Sequence, residues 1–480
     1  MNADYANPEM YVAGRWLGPV GGSADILNPA TEAVIGEVPH ADVATLDEAL
    51  AAAEKGFGIW RDTPLDRRVA ILLEAARLMR ERADVIARLM TLEQGKPVGE
   101  ARLEVVRASA LVEWDAHESK RLYGRIIPGP AGQRQMVLRL PLGPVAAFTP
   151  WNFPASVLAR KLGGALAAGC SLVVKAAEET PATATALVRC FVDAGLPAGV
   201  LNLVFGVPAE VSDHLIGSPV IRAITFTGSV PVGKLLAAKA GSLMKPAVME
   251  LGGHSPVIVC RDTDVARAAA LSAAGKFRNA GQICTAPTRF IVEESIHDAF
   301  VEHLVAAARA IKVGDGLDPD TKMGPLANDR RRDAIEALVS DAEAKGASVP
   351  TGGKRIGNRG FFFEPTVLTD VPFTSDVMTT EPFGPVAPVV RFSELDEAIG
   401  IANALPYGLA SYAFTESAAA AAALSDRVET GIMSINHVGG SMPEAPFGGV
   451  KESGLGREGG MEGMDAYINV KFVSHRATIR

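Results

Sequence analysis

The chain has 480 residues, 48% hydrophobic and 21% charged, which describes a globular protein too long for one ordinary core, so two or three domains are expected. A net charge of −8 argues against a phosphate-neutralising surface and hence against nucleic acid as a partner. Cys170, Cys190, Cys260 and Cys284 are scattered without a CxxC, and the eight histidines form no compact ligand set, which points to a reducing cytoplasm and no metal site.

The opening "MNADYANPEMYV" carries neither a basic region nor an apolar core, so no signal peptide is expected. Residues 63–95 read as one long amphipathic helix. Thr63 is the N-cap, Pro64 stands at N1 and Asp66 at N3, while Val69, Leu72, Ala76 and Met79 keep the period. Gly95 with Pro97 supplies the stop. "GQRQMVLRL" follows the turn-like "PGPAG" and reads as a strand with one buried face. The charge-poor stretch 141–159 contains four prolines and Asn152, too many breaks for a spanning helix, and no membrane role is expected.

From residue 144 short apolar runs alternate with Ala-rich helical stretches. "PVAAF", "SLVVKA", "GVLNLVF" and "IRAITF" read as buried strands, with helices around 155–168, 181–194 and 230–241. After about residue 262 a second block follows: "RFIVEE", a helix at 296–311, "APVVRF", a helix at 395–404, "LASYAF" and "IMSIN". Alternation of this length predicts an α/β protein with two doubly wound parallel-sheet domains. "YINVKFV" alternates Ile468, Val470 and Phe472 with polar residues and lies outside both blocks, as does "GQRQMVLRL". These two strands pair with each other, pair with a second subunit, or extend a sheet edge.

"GLGREG" at 454–459 matches GxGxxG, but only 21 residues remain beyond it, too few for the βαβ unit that the fingerprint requires. "FTGSVPVGK" is better placed, because it follows the strand "IRAITF" and a helix begins at Val230. Gly228 and Ser229 would then lie at a helix N-terminus, where free N–H groups and the dipole favour a phosphate. A plain strand-to-helix turn has the same sequence pattern.

Four further stretches carry more information: "FTPWNFP" (148–154), "VVKAAEETP" (173–181), "MELGGHSP" (249–256) and "EPFGPV" (381–386). With "FRNAGQIC" (277–284) and "PFGGVKESGLGREGG" (446–460), in this order over nearly the whole chain, they resemble the aldehyde dehydrogenase superfamily. Glu250 and Cys284 also lie 34 residues apart, as that resemblance requires. It implies a domain from 1–121 and 142–250 that binds NAD, a catalytic domain at 251–445, and an oligomerisation β segment from 122–141 and 465–480. A homodimer or homotetramer is expected.

Oxidising an aldehyde needs a nucleophile that converts the carbonyl carbon into a hydride donor. Cys284, in a polar and bendable segment, is placed to be reached, and as a free thiol it needs local help to become a thiolate. Cys170, Cys190 and Cys260, at the edges of apolar runs, read as core residues. The oxyanion calls for preorganised donors, here the side-chain amide of Asn152 and the Cys284 N–H, with a helix cap as the other reading of Asn152. Glu250 is the candidate general base for hydrolysis of the Cys284 thioester, against a surface or capping carboxylate. The resemblance places Lys175 and Glu178 at the adenosine ribose and Glu381 and Phe383 at the nicotinamide ribose, with Trp151 and Leu251 also in the cofactor cleft. A carboxylate at Glu178 repels a 2′-phosphate, which favours NAD, with NADP as the alternative. Ala176 stands where the family often has proline, which bears on the rigidity of that loop.

For the substrate, Arg160, Arg278 and Ser441 match the carboxylate anchors of succinate-semialdehyde dehydrogenases. Eight helical residues rise about 12 Å, so Arg160 would meet a carboxylate well beyond a carbonyl held at Asn152. The other reading makes each arginine an exposed helix charge. "KFRNAGQIC" and "SMPEAPFGGV" also resemble enzymes of α-ketoglutaric semialdehyde, the runner-up, with a broad-specificity aldehyde dehydrogenase as a further alternative. Ala286 leaves no second cysteine beside Cys284 for a local disulfide. An acylating, CoA-dependent enzyme would typically lack Glu250, and a thiol hydrolase would need a positioned histidine, for which His254 is the nearest candidate. An inert binding protein of this fold would have lost one of Asn152, Glu250 or Cys284, and all three are present.

Overall fold

The predominantly apolar runs of the first block assemble into one sheet, and 145–148, 172–175 and 201–204 are buried along their whole length, which suits strands covered on both faces. The computed structural model describes residues 5 and 7–476. The opening stretch, in which no signal peptide is expected, therefore lies partly outside the described residues, as do the last four residues of segment 465–480. In the first sheet Leu201–Val204, Leu172–Lys175, Val145–Phe148, Ala223–Gly228 and Ala247–Leu251 lie side by side and parallel. Met10–Val12 and Arg15–Leu17 extend one edge, and Gly454–Leu455 pairs antiparallel with Met249 and Glu250 at the other.

The chain order reverses beside Val145–Phe148. The next two strands are added on one side of it, and Ala223–Gly228 is then laid on the other. That reversal opens a crevice at the carboxyl ends of Val145–Phe148 and Ala223–Gly228, the place where open α/β sheets bind ligands. The second sheet holds Thr366–Thr369, Val386–Phe392, Arg289–Glu293, Pro256–Val259, Ala410–Phe414 and Ile432–Ile435 in parallel, with Ser348–Thr351 antiparallel at one edge. Each sheet has its own apolar core.

The stretch expected as one helix over 63–95 is two, Leu65–Glu81 and Ala83–Gln94, parted at Arg82 (φ −94°, ψ 10°). Thr63 is not the N-cap: its hydroxyl donates to the Ile59 carbonyl at 2.8 Å and its N–H to Trp60, closing the preceding helix Val43–Asp62. Gly95 does stop the second helix, in the left-handed conformation at φ 84°.

The two strands outside both blocks pair with each other. Ile468–Arg476 runs antiparallel to Gln133–Pro141 over nine residues, with Arg125–Ile127 on the far edge. Val470 and Phe472 stay exposed on this small sheet, at 71% and 58%. Among the described residues no helix is long and apolar enough to cross a membrane.

Candidate active site

The carboxyl edge of the first sheet faces the amino ends of the second sheet's strands. Trp151 and Asn152 follow the strand Val145–Phe148, and Gly228 and Ser229 close the strand Ala223–Gly228. Glu250 and Leu251 end the strand Ala247–Leu251. From the other sheet, Cys284 lies just before Arg289–Glu293, and Glu381 and Phe383 just before Val386–Phe392. All of these line one cavity of about 740 Å³, together with Arg160, Arg278 and Ser441. Lys175 and Glu178 sit outside that lining, one strand further along the same edge, and form an ion pair with each other.

Cys284 is half-buried and is the end of an unusual turn. Asn279, Ala280 and Gly281 all have positive φ (48°, 53° and 72°), so the chain winds left-handed for three residues before the thiol. A side chain at Gly281 would overlap the Gly384 carbonyl, so that residue must be glycine for the Cys284 loop to pass the Glu381 loop. Cys170, Cys190 and Cys260 are buried, as their apolar surroundings imply.

The Asn152 side-chain nitrogen donates to the Gln282 carbonyl at 3.1 Å, which aims it at the Cys284 loop. It caps no helix, since the helix Ser156–Ala168 begins at Ala155, whose side chain makes no capping bond. That helix start is satisfied from afar: Glu104 accepts the N–H groups of Ala155 and Ser156 at 2.9 and 3.1 Å.

Glu250 is 3% exposed, and neither carboxylate oxygen has a hydrogen-bond partner. Burial, reinforced by the neighbouring Glu458 carboxylate, holds its carboxyl well above the usual range, while Lys161, Arg160 and Arg457 pull the other way. Glu458 belongs to the "GLGREG" stretch, which therefore reaches the site through Glu458 and not through a phosphate fingerprint. Lys161 donates to it at 2.8 Å and to Thr225 at 2.9 Å.

The local help for the thiol, backbone hydrogen bonds at Thr285 and Cys284, is outweighed. Burial and the carboxyls of Glu381 and Glu250 push the Cys284 thiol up to about 12, so in this arrangement it is protonated at neutral pH. Glu381 is itself pushed up to about 8 by burial, opposed by the Gly253 N–H, Arg331 and Lys276. His254 offers no base. Its nitrogens contact Thr288 at 2.8 Å and the Val377 carbonyl at 3.0 Å, and burial followed by Arg289 keeps it far below the usual imidazole range.

At the far end of the cavity, Arg160 is 7% exposed and so is not a surface charge. One guanidinium nitrogen donates to Ser441 Oγ at 2.8 Å, the group lies 4.6 Å over the Phe447 ring, and Nη1 is buried without a partner. Arg278 is half-buried, 5.9 Å from the Phe153 ring centroid, and its Nε also lacks a partner.

A dinucleotide fits the opposite end. Ser229 is the N-cap of the helix Val230–Ser242 with its side chain unused for capping, and the Thr227 hydroxyl beside it is buried without a partner. Gly252 leaves the room that the Glu381 carboxylate occupies. Trp151 meets Phe383 edge to face, centroids 5.6 Å apart, across the mouth. Lys96, Glu104, Asn279 and Gln282 also shape the site, and none of them is a sequence-predicted site residue. Nothing in a single sequence marks the first two as buried. The last two do carry a signal, because they lie within "FRNAGQIC" beside the thiol.

A crevice at a strand reversal and a helix N-terminus suited to phosphate, with a cysteine in the same cavity, are the features of a dinucleotide-using oxidoreductase. Residues 16–473 match the Aldehyde dehydrogenase family. The chain belongs to that family and is an NAD(P)-dependent aldehyde dehydrogenase. It is 48% identical to 4-(hydroxymethyl)benzenesulfonate dehydrogenase TsaD1 of Comamonas testosteroni, covering 98% of this chain and 99% of that one. It is 41% identical to the succinate-semialdehyde dehydrogenase [NADP(+)] GabD of Escherichia coli K12, covering 96% of both. The crystal structure of succinate-semialdehyde dehydrogenase from Burkholderia pseudomallei superposes with a TM-score of 0.96 at 40% identity, over 99% of both chains.

Proposed function

We propose that the protein oxidises an ω-carboxylated semialdehyde, succinic semialdehyde first and α-ketoglutaric semialdehyde as the close second, through a thioester on Cys284. The observation that carries this is Arg160: a buried guanidinium, oriented by Ser441, with a partnerless nitrogen in the same cavity as the thiol. Guanidinium matches a carboxylate bidentately, and a buried Nη1 without a hydrogen-bond partner is a donor left for one. Arg278 supplies a second cation to the same cavity. The named substrates of the relatives also carry an anion opposite the reacting carbon: a carboxylate in succinate semialdehyde and a sulfonate in the benzenesulfonate.

In this reading the Cys284 thiol releases its proton to solvent, and the thiolate Sγ bonds to the aldehyde carbon as the C=O π pair moves to oxygen, leaving an oxyanion that takes hydrogen bonds from Asn152 Nδ2 and the Cys284 N–H. The bound dinucleotide, held by Ser229, Lys175, Glu178 and Glu381, supplies the hydride acceptor. Once the carbon is a thioester, Glu250 takes a proton from water as the water oxygen attacks, and Sγ leaves with release of the acid. Glu250 accepts that proton in its ionised form, and burial beside Glu458 makes this carboxylate a stronger base than a solvated one. Glu178 favours NAD, while its ion pair with Lys175 leaves a cation that a 2′-phosphate could use. We also place the enzyme in a reducing cytoplasm as a homo-oligomer joined through 122–141 and 465–480, with 1–121 and 142–250 binding NAD and 251–445 catalytic.

The test is steady-state kinetics on plain, ω-carboxylated and sulfonated aldehydes with NAD and NADP. One charge-assisted contact is worth about 1.5–3 kcal/mol, or roughly 10–150-fold in kcat/KM for the semialdehyde over the uncharged aldehyde of equal length. Arg278→Ala and Arg160→Ala should each erase most of that preference, and the double variant should lose less than the sum because both act on one anion. Neutral aldehydes reacting as well as succinic semialdehyde would defeat the assignment, and a stronger preference for the sulfonate would move it to that anion.

A further inference from the structure

The connector between the helices Ala83–Gln94 and Val98–Glu118 touches both catalytic loops from behind. Lys96, 2% exposed, donates to the Asn152 carbonyl at 2.9 Å and stands 3.8 Å over the Phe153 ring. It is ion-paired with Glu104, whose other oxygen receives the N–H groups of Ala155 and Ser156. Gln94 donates to Asn279 Oδ1 at 2.9 Å, and Glu100 accepts the Asn279 N–H at 3.1 Å. Asn279 then donates to the Asn152 carbonyl at 3.2 Å and to the Gln282 carbonyl at 3.3 Å, the same carbonyl that receives Asn152 Nδ2.

The Asn152 loop grows from the first sheet and the Cys284 loop from the second. Neither sheet by itself fixes the distance between them. The short segment 94–104 holds both, and the Asn152 carbonyl is the shared point, with one donor from the segment and one from the Cys284 loop.

We propose that Lys96 and Glu104 are positioning residues for aldehyde oxidation: Lys96 fixes the peptide that follows Asn152, Glu104 fixes the start of the helix behind it, and together they keep the Asn152 amide in register with Cys284. The proposal rests on Asn152 and Cys284 having the roles given to them above. An ångström of misplacement at a reacting centre costs on the order of 100-fold in rate, so the pair acts through geometry alone. Neither side chain needs to meet the substrate.

The experiment compares Lys96→Met, Lys96→Arg and Asn152→Ala in the full chain, together with Lys96→Met/Asn152→Ala. Lys96→Met should lower kcat about 10–100-fold, with the aldehyde KM, NAD affinity and the rate of Cys284 alkylation by iodoacetamide each within roughly threefold. Lys96→Arg, which keeps the charge and donors, should recover most of kcat. In the Asn152→Ala background Lys96→Met should cost little, because the residue it positions is gone. The paired Lys96→Met/Glu104→Gln variant removes both buried charges together and serves the same cycle should the single variant not fold. Unchanged kcat in Lys96→Met, or the same fold-loss with and without Asn152, overturns the proposal while leaving the Asn152 assignment intact. Full activity in Asn152→Ala would bring down the oxyanion role itself, and this proposal with it.

Discussion

At the scale of single residues, the site holds its acids toward their neutral forms. Cys284 is held protonated, and Glu250 is held toward its neutral form by burial and by a second carboxylate. Two measurements follow. Glu250→Gln should leave a burst of reduced dinucleotide and then turn over slowly, since a positioned general base contributes about 10²–10⁴-fold; equal loss of burst and turnover would place Glu250 before the hydride step. In the enzyme without cofactor, alkylation of Cys284 by iodoacetamide should be slow at pH 7 and still climb above pH 9, because only the thiolate reacts. Glu381→Gln should speed it, most clearly above pH 8 where the native carboxyl is ionised. The sign is fixed because a nearby anion raises a thiol's pKa and its removal lowers it. An alkylation rate that levels off below pH 8 would contradict the raised thiol.

Among the elements, several helix starts are satisfied by carboxylates far away in sequence. Glu93 accepts Ala182 N–H at 2.6 Å, Thr183 N–H at 3.1 Å and the Thr183 hydroxyl at 2.8 Å, so it caps the helix Pro181–Asp193 in place of Thr180. The Tyr5 hydroxyl donates to the same carboxylate at 2.6 Å, tying the N-terminal segment to this point. Removing a buried acceptor strands its donors at about 1–3 kcal/mol. Glu93→Ala should therefore lower the thermal midpoint by several degrees, roughly 2–4 °C per kcal/mol even in a 150–250-residue domain, and Tyr5→Phe by less. A midpoint unchanged in Glu93→Ala would show that the native contacts do not carry that helix end. The split of the expected 63–95 helix belongs here as well. Periodicity runs unbroken across Arg82, and the packing of two shorter helices against their neighbours sets the bend that the pattern does not contain.

For the whole molecule, the three-stranded sheet of Arg125–Ile127, Gln133–Pro141 and Ile468–Arg476 leaves Ile126, Val470 and Phe472 exposed. Lysine at both Val470 and Phe472 should lower the molecular mass measured by light scattering, because an apolar strand surface joined to a partner does not tolerate charge. An unchanged mass would show that this sheet joins no partner. Much of the architecture is legible in the sequence. Apolar runs such as 145–148 and 172–174 fold as parallel strands because both their faces must be covered. The polar motifs between them can only lie at strand ends, which makes Asn152, Ser229, Glu250 and Cys284 recognisable from their local motifs. What the sequence does not contain is depth and distance. Lys96 and Glu104 look like the solvated charges of any helix start, and only packing on both sides makes them a buried clamp. Arg160 also reads as a surface charge until Phe447 and Ser441, nearly three hundred residues away, close over it. The candidate chemistry-bearing residues are legible in the sequence, since side-chain type and local motif do not depend on the fold. The tertiary structure decided their protonation and their mutual reach, because both depend on the burial and neighbours that two separate sheets create only when they face each other.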